Sequence, residues 1–144
     1  MPTILAMNDK HQQDLIEAIR KARERDPGLV ILTHHYQRPE VVGLGDFVGD
    51  SFALAKWAAE RTDARRIVFC GVRFMAEGAR VLGRADQEVL HPDPWSGCPM
   101  ADMADAPDTE RAIDLLAEAT GRPPLLVTYM NSGGRPVASA RRSI

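Results

Sequence analysis

The chain has 144 residues, 44 % of them hydrophobic, which suits one soluble domain with a core of ordinary size. Its 18 basic and 20 acidic residues leave a net charge of -2, so the overall field favours neither nucleic acid nor an anionic membrane as partner. No run approaches the ~20 apolar residues of a membrane span, residues 1–7 are too short and weakly charged for a secretory leader, and two cysteines cannot build a disulfide scaffold; the expectation is a cytoplasmic protein with Cys70 and Cys98 as thiols, unless a metal takes one.

In chain order, residues 12–25 place Leu15, Ile16, Ala18, Ile19 and Ala22 near helical spacing, with Asn8 or Asp9 as cap and Asp26-Pro27-Gly28 as stop, and so predict an amphipathic helix. Residues 29–33 form a short apolar run, as expected of a strand buried on both faces of a parallel sheet. That puts His34-His35-Tyr36 at a strand's carboxyl end. Pro39 opens a helix to about residue 44, residues 46–48 make a short strand, and Asp50-Ser51 cap a helix through Leu54, Ala55, Trp57 and Ala58 to about residue 60. The alternation continues with a strand at 66–70, a helix at 74–82 and a strand at 88–90, after which Cys98 follows. A helix at 109–119 ends at Thr120-Gly121, and a strand at 124–128 leads into Tyr129-Met130-Asn131-Ser132. Strands alternating with helices predict an α/β domain, with a parallel sheet and ligand sites at the carboxyl ends of its strands. From Gly133 the sequence carries three arginines and no acid, without periodicity, and reads as a truncated or disordered end.

Several residues carry chemistry. Gly97-Cys98-Pro99-Met100-Ala101 flanks a thiol with a permissive and a stiffening residue, as a loop that presents sulfur would. Alone, Cys98 would read as a packed thiol, as Cys70 does inside its apolar strand run. Imidazole and phenol in His34-His35-Tyr36 can carry protons or donate to an anionic substrate, although either histidine alone would read as structural. Gly49-Asp50-Ser51 offers free N–H groups and a hydroxyl at a helix start, suited to carboxylate or phosphate, and plain capping explains it nearly as well. Glu77, in Phe74-Met75-Ala76-Glu77, lies near a helix start, where its charge favours the helix dipole. Trp57 and Trp95 read as core or interface residues; Asp102, Asp105 and Asp108 read as solvated charges and caps, without the register of a calcium loop.

As an ordered set, His34-His35-Tyr36-Gln37, Asp46-Phe47-Val48-Gly49-Asp50-Ser51, Gly71-Val72-Arg73-Phe74-Met75-Ala76-Glu77, Gly97-Cys98-Pro99-Met100-Ala101 and Val127-Thr128-Tyr129-Met130-Asn131-Ser132 resemble the successive N-terminal signatures of quinolinate synthases. The resemblance spans about residues 12–134. It implies the first of three similar three-layer α/β domains over 1–120, the opening strand of a second over 121–134, and a divergent tail over 135–144.

The resemblance also implies a [4Fe-4S] cluster held by three cysteines, of which Cys98 matches the first. It implies iminoaspartate and dihydroxyacetone phosphate as substrates, quinolinate for NAD biosynthesis as product, and an iminoaspartate-producing oxidase as partner. His34 and Tyr36 match catalytic positions; His34, Ser51, Tyr129, Met130 and Asn131 match substrate-binding ones. The other two cluster cysteines have no counterpart, and Cys70 falls in a strand. The expectation is therefore a fragment, inactive alone, with no cluster retained; an early stop, a shifted frame or a deliberate cut would each explain it. The alternatives are a stand-alone α/β module binding a small anion, or a noncatalytic subunit completed by another chain.

Overall fold

A computed structural model describes residues 9–134. The cap at Asn8 and the tail at 135–144 lie outside the described residues.

The elements run α1 (Asp9–Arg25), β1 (Leu29–His34), α2 (Pro39–Val42), β2 (Phe47–Gly49), α3 (Ser51–Glu60), β3 (Arg66–Cys70), α4 (Arg73–Leu82), β4 (Glu88–Leu90), a 3-10 turn (Ala101–Met103) and α5 (Ala106–Thr120). The four strands form one parallel sheet in the order β2-β1-β3-β4. Thr33 lies beside Val48 on one flank and Cys70 on the other. The chain leaves β1 toward β2, then returns past β1 to β3, so its direction reverses between β1 and β3. In open α/β sheets that reversal opens a crevice at the carboxyl edge.

Strand alternation divides the side chains between two faces. Val30, Leu32, Ile67 and Phe69 meet Leu54 and Ala58 of α3 and Met75, Ala76 and Ala79 of α4, making the main core. Leu32, Leu54, Ile67 and Phe69 are fully buried there, each worth about 1.5–3 kcal/mol in removal of apolar surface from water. The opposite face carries Leu29, Ile31, Val68 and Cys70 toward Ile19 and Ala22 of α1 and Val41 and Leu44, leaving a cavity of about 370 Å³ between them. The layers are thus α1 and α2, the sheet, then α3 and α4.

Local chemistry explains the boundaries. Asp50 accepts the Ala53 N–H at 2.8 Å and starts α3. Pro107 fits the first turn of α5, which begins three residues earlier than its apolar spacing indicates. Gly121 closes that helix in the left-handed region at φ 69°, where a side chain would be strained. Gln87 has no such local signature: its amide donates to Ala58 O, Arg61 O and Ala64 O at 3.0, 3.0 and 3.2 Å, and its oxygen accepts the Arg84 N–H at 2.9 Å.

One expected element needs correction. Residues 124–128 are not a strand, and Leu125 and Val127 are 75 % and 85 % exposed. A strand exists only through ladder bonds to a neighbour, and none of the described strands lies alongside to provide them. Of the two tryptophans read as core or interface residues, Trp57 packs against the core and stacks on Phe47 with ring centroids 5.5 Å apart, and Trp95, 92 % exposed, lies outside the described core.

Candidate functional site

At the carboxyl end of β1 the rings of His34, His35 and Tyr36 gather, with centroids 4.3–4.8 Å apart. His34 is buried and Tyr36 is 84 % exposed, so the cluster runs from the sheet edge outward. The Tyr36 N–H donates to His34 Nδ1 at 3.2 Å, which leaves the neutral ring's hydrogen on Nε2. His35 Nδ1 lies 3.1 Å from Gly49 O, an acceptor, so its own hydrogen sits on Nδ1. At Nδ1, then, His34 accepts and His35 donates. Burial and the neighbouring His35 push the His34 pKa below its ordinary value of 6.5, against the opposing pull of Asp50. At neutral pH His34 is therefore an uncharged donor through Nε2.

The β1–β2 register sets His34 against Gly49, directly before Asp50 and Ser51. Because Asp50 takes the Ala53 N–H, the first N–H groups of α3 and the Ser51 hydroxyl remain at this edge. His34, Tyr36 and Ser51 thus share one corner of the domain. Its donors suit a carboxylate or phosphate oxygen.

Cys98 lies in the loop after β4, partly buried against the core, and its carbonyl accepts the Asp102 N–H at 3.1 Å. The loop is moored to the end of β3: His91 Nε2 and Ser96 Oγ lie 3.1 and 3.4 Å from Gly71 O. No spacing in the sequence marks His91 for this role. Cys70, expected to be buried within the sheet, is half-buried instead, because it faces the cavity beneath α1 and α2. Burial still raises its thiol pKa, so its thiolate fraction at a given pH is below that of an ordinary thiol. Iodoacetamide should label Cys98 several-fold faster than Cys70 in the native protein, with Cys70 catching up only at higher pH. Site-resolved mass spectrometry showing Cys70 modified first would refute this.

Tyr129 and Met130 wall a cavity of about 290 Å³ with Phe74, Val81 and Leu82, and His34, Tyr36 and Ser51 are not among its walls. Asn131 is half-buried beside Ser132, whose hydroxyl lies 3.0 Å from Thr128 Oγ1. The expected site residues therefore fall into the β1–α3 corner, the Cys98 loop and the turn at 128–132. Among the described residues no group of three or more His, Cys, Asp or Glu is placed to hold a metal ion. Cys98 alone does not make a cluster-holding set, since such clusters take several thiolates. No described helix is long and apolar enough to cross a membrane.

Comparison with known proteins matches residues 17–139 to the family described as quinolinate synthetase A protein. Curated relatives named quinolinate synthase include those of Acidobacterium capsulatum, 50 % identical over 125 residues, Bacillus cereus, 46 % over 121, and Streptomyces coelicolor, 48 % over 121. These alignments take in 83–85 % of this chain and 31–33 % of each relative. The chain spans about a third of the length of the curated relatives it matches.

Proposed function

The chain belongs to the quinolinate synthetase A family, and from that membership we propose that it forms the first domain of a quinolinate synthase, contributing part of the pocket in which iminoaspartate condenses with dihydroxyacetone phosphate. The observation that carries this reading is the corner where His34, Tyr36 and the start of α3 meet at the carboxyl edge of β1 and β2. A dicarboxylate seated there would accept hydrogen bonds from His34 Nε2, the Ser51 hydroxyl and the first N–H groups of α3. Tyr36, exposed at the rim, can pass a proton to or from the reacting carbon skeleton. Tyr129, Met130 and Asn131 would complete the binding surface from the turn at 128–132.

Members of this family use a [4Fe-4S] cluster, and we assign Cys98 as one ligand. The remaining thiolates would come from beyond these 144 residues. The reading also places the protein in the cytoplasm, with an iminoaspartate-producing oxidase supplying one substrate.

The purified 144-residue chain, given both substrates with iron and sulfide, is expected to form no quinolinate. Adding the following two-thirds of a close relative as a separate polypeptide is expected to restore formation, followed by chromatography. Quinolinate made by this chain alone would overturn the reading, and so would failure of the reconstituted pair together with no dicarboxylate binding by either piece.

A further inference from the structure

Within the motif of residues 71–77, Arg73 and Glu77 stand outside the substrate corner, yet the first two turns of α4 hold both other parts of the candidate site. The Arg73 N–H donates to Ser96 O at 2.8 Å, two residues before Cys98. Its guanidinium lies 3.8 Å from Asp102, whose N–H in turn bonds the Cys98 carbonyl. One turn on, Glu77 Oε2 accepts the Gly134 N–H at 2.7 Å, while Oε1 lies 3.7 Å from Arg73 Nε. Between these anchors runs a cleft of about 480 Å³, with Arg73 and Glu77 on one side and Asp102, Asp105 and Gly134 among its other walls.

The strengths are unequal. Both Arg73 pairs are long and more than a third exposed, so each contributes little. The Glu77 bond to Gly134 is short, charge-assisted and partly buried, which makes it the strong member. A Cβ at position 134 would come within 3.1 Å of the Glu77 carboxylate, close enough that the carboxylate would have to give by a few tenths of an ångström. The turn it fixes is tight, with Ser132 buried and joined to Thr128.

We propose that Glu77 is a positioning residue: its carboxylate ties the turn bearing Tyr129, Met130 and Asn131 to the helix that also moors the Cys98 loop, so that the two keep one spacing. What that spacing serves rests on the function proposed above; the tie itself does not.

Amide exchange of the 144-residue chain, followed by NMR, tests it. The Gly134 amide is expected to be protected, to exchange about tenfold faster in Glu77→Ala, and to regain most protection in Glu77→Gln, which keeps an acceptor oxygen. Protection in α4 and β3 should not change. An unprotected Gly134 in the parent chain, equal exchange in Glu77→Ala, or glutamine no better than alanine would each overturn the proposal. If Glu77→Ala does not fold, Gly134→Pro, which removes the donated N–H and leaves α4 untouched, should loosen residues 128–132, and unchanged exchange there would overturn it instead. A malate titration of the same samples separates the two readings: affinity lost in Glu77→Ala and restored in Glu77→Gln supports positioning, whereas no malate binding by the parent chain counts against the substrate corner and leaves the exchange result to judge Glu77.

Discussion

Phe69→Ala is expected to lower stability by about 3–5 kcal/mol, a large share of the whole for a domain of this size. Phe69 is fully buried in β3 at the centre of the face that meets α3 and α4. Truncation would remove a large apolar ring and open a void between close-packed neighbours, which relax only partly. Val68→Ala, one residue away, provides the contrast: Val68 faces the cavity beneath α1 and α2, where nearby space already exists, and its truncation should cost about 1–2 kcal/mol. Urea unfolding followed by circular dichroism would check both. Equal losses at the two positions would mean that the sheet's faces are packed alike and that the α3–α4 side is not the main core.

Gln87→Ala should cost about 3 kcal/mol, the second largest effect, although glutamine before a short strand looks replaceable. Its buried amide serves three carbonyls at the end of α3 and in the following turn, and its oxygen takes the Arg84 N–H. Alanine would take this bond from Ala58 O, Ala64 O and the Arg84 N–H, at about 1–3 kcal/mol for each one that stays dry, while Arg61 O keeps its bond from the Arg84 guanidinium. Gln87→Glu should be no better near neutral pH, because a carboxylate has no hydrogen to offer the carbonyls. Thermal unfolding of both variants would decide, and a loss below about 1 kcal/mol for alanine would show that water replaces the side chain easily.

The candidate corner and the core depend on each other through the sheet. Leu32 is fully buried against α3 and α4, and two residues later the same strand delivers His34 to the carboxyl edge. Packing therefore fixes where the imidazole stands, and burial at that edge keeps it neutral. The Cys98 loop is positioned differently, by Gly71, Arg73 and Asp102. It carries exposed Met100 and Met103, so its outer side is open.

Much of this was legible in the amino-acid order. Runs such as residues 29–33 and 66–70, set between helical spacings, specify an alternating α/β chain, because burial demands a period that each element must match. Asp50, Pro39 and Pro107 mark helix starts through local hydrogen bonding and fixed φ, which need no tertiary partner. The ordered motifs likewise placed His34 and Tyr36 at a strand end. Other features required long-range contact. The order β2-β1-β3-β4, and which sheet face takes α3 and α4, come from packing between segments distant in sequence. So do the three carbonyls gathered on Gln87, the bond of His35 to Gly49 O, and the bond from Gly134 to Glu77, since each joins groups that sequence spacing does not relate. Residues 124–128 mark the boundary between the two kinds of information. Their short apolar run is a strand's own contribution, but a strand is completed by hydrogen bonds to its neighbour, and only the tertiary structure decides whether that neighbour is there.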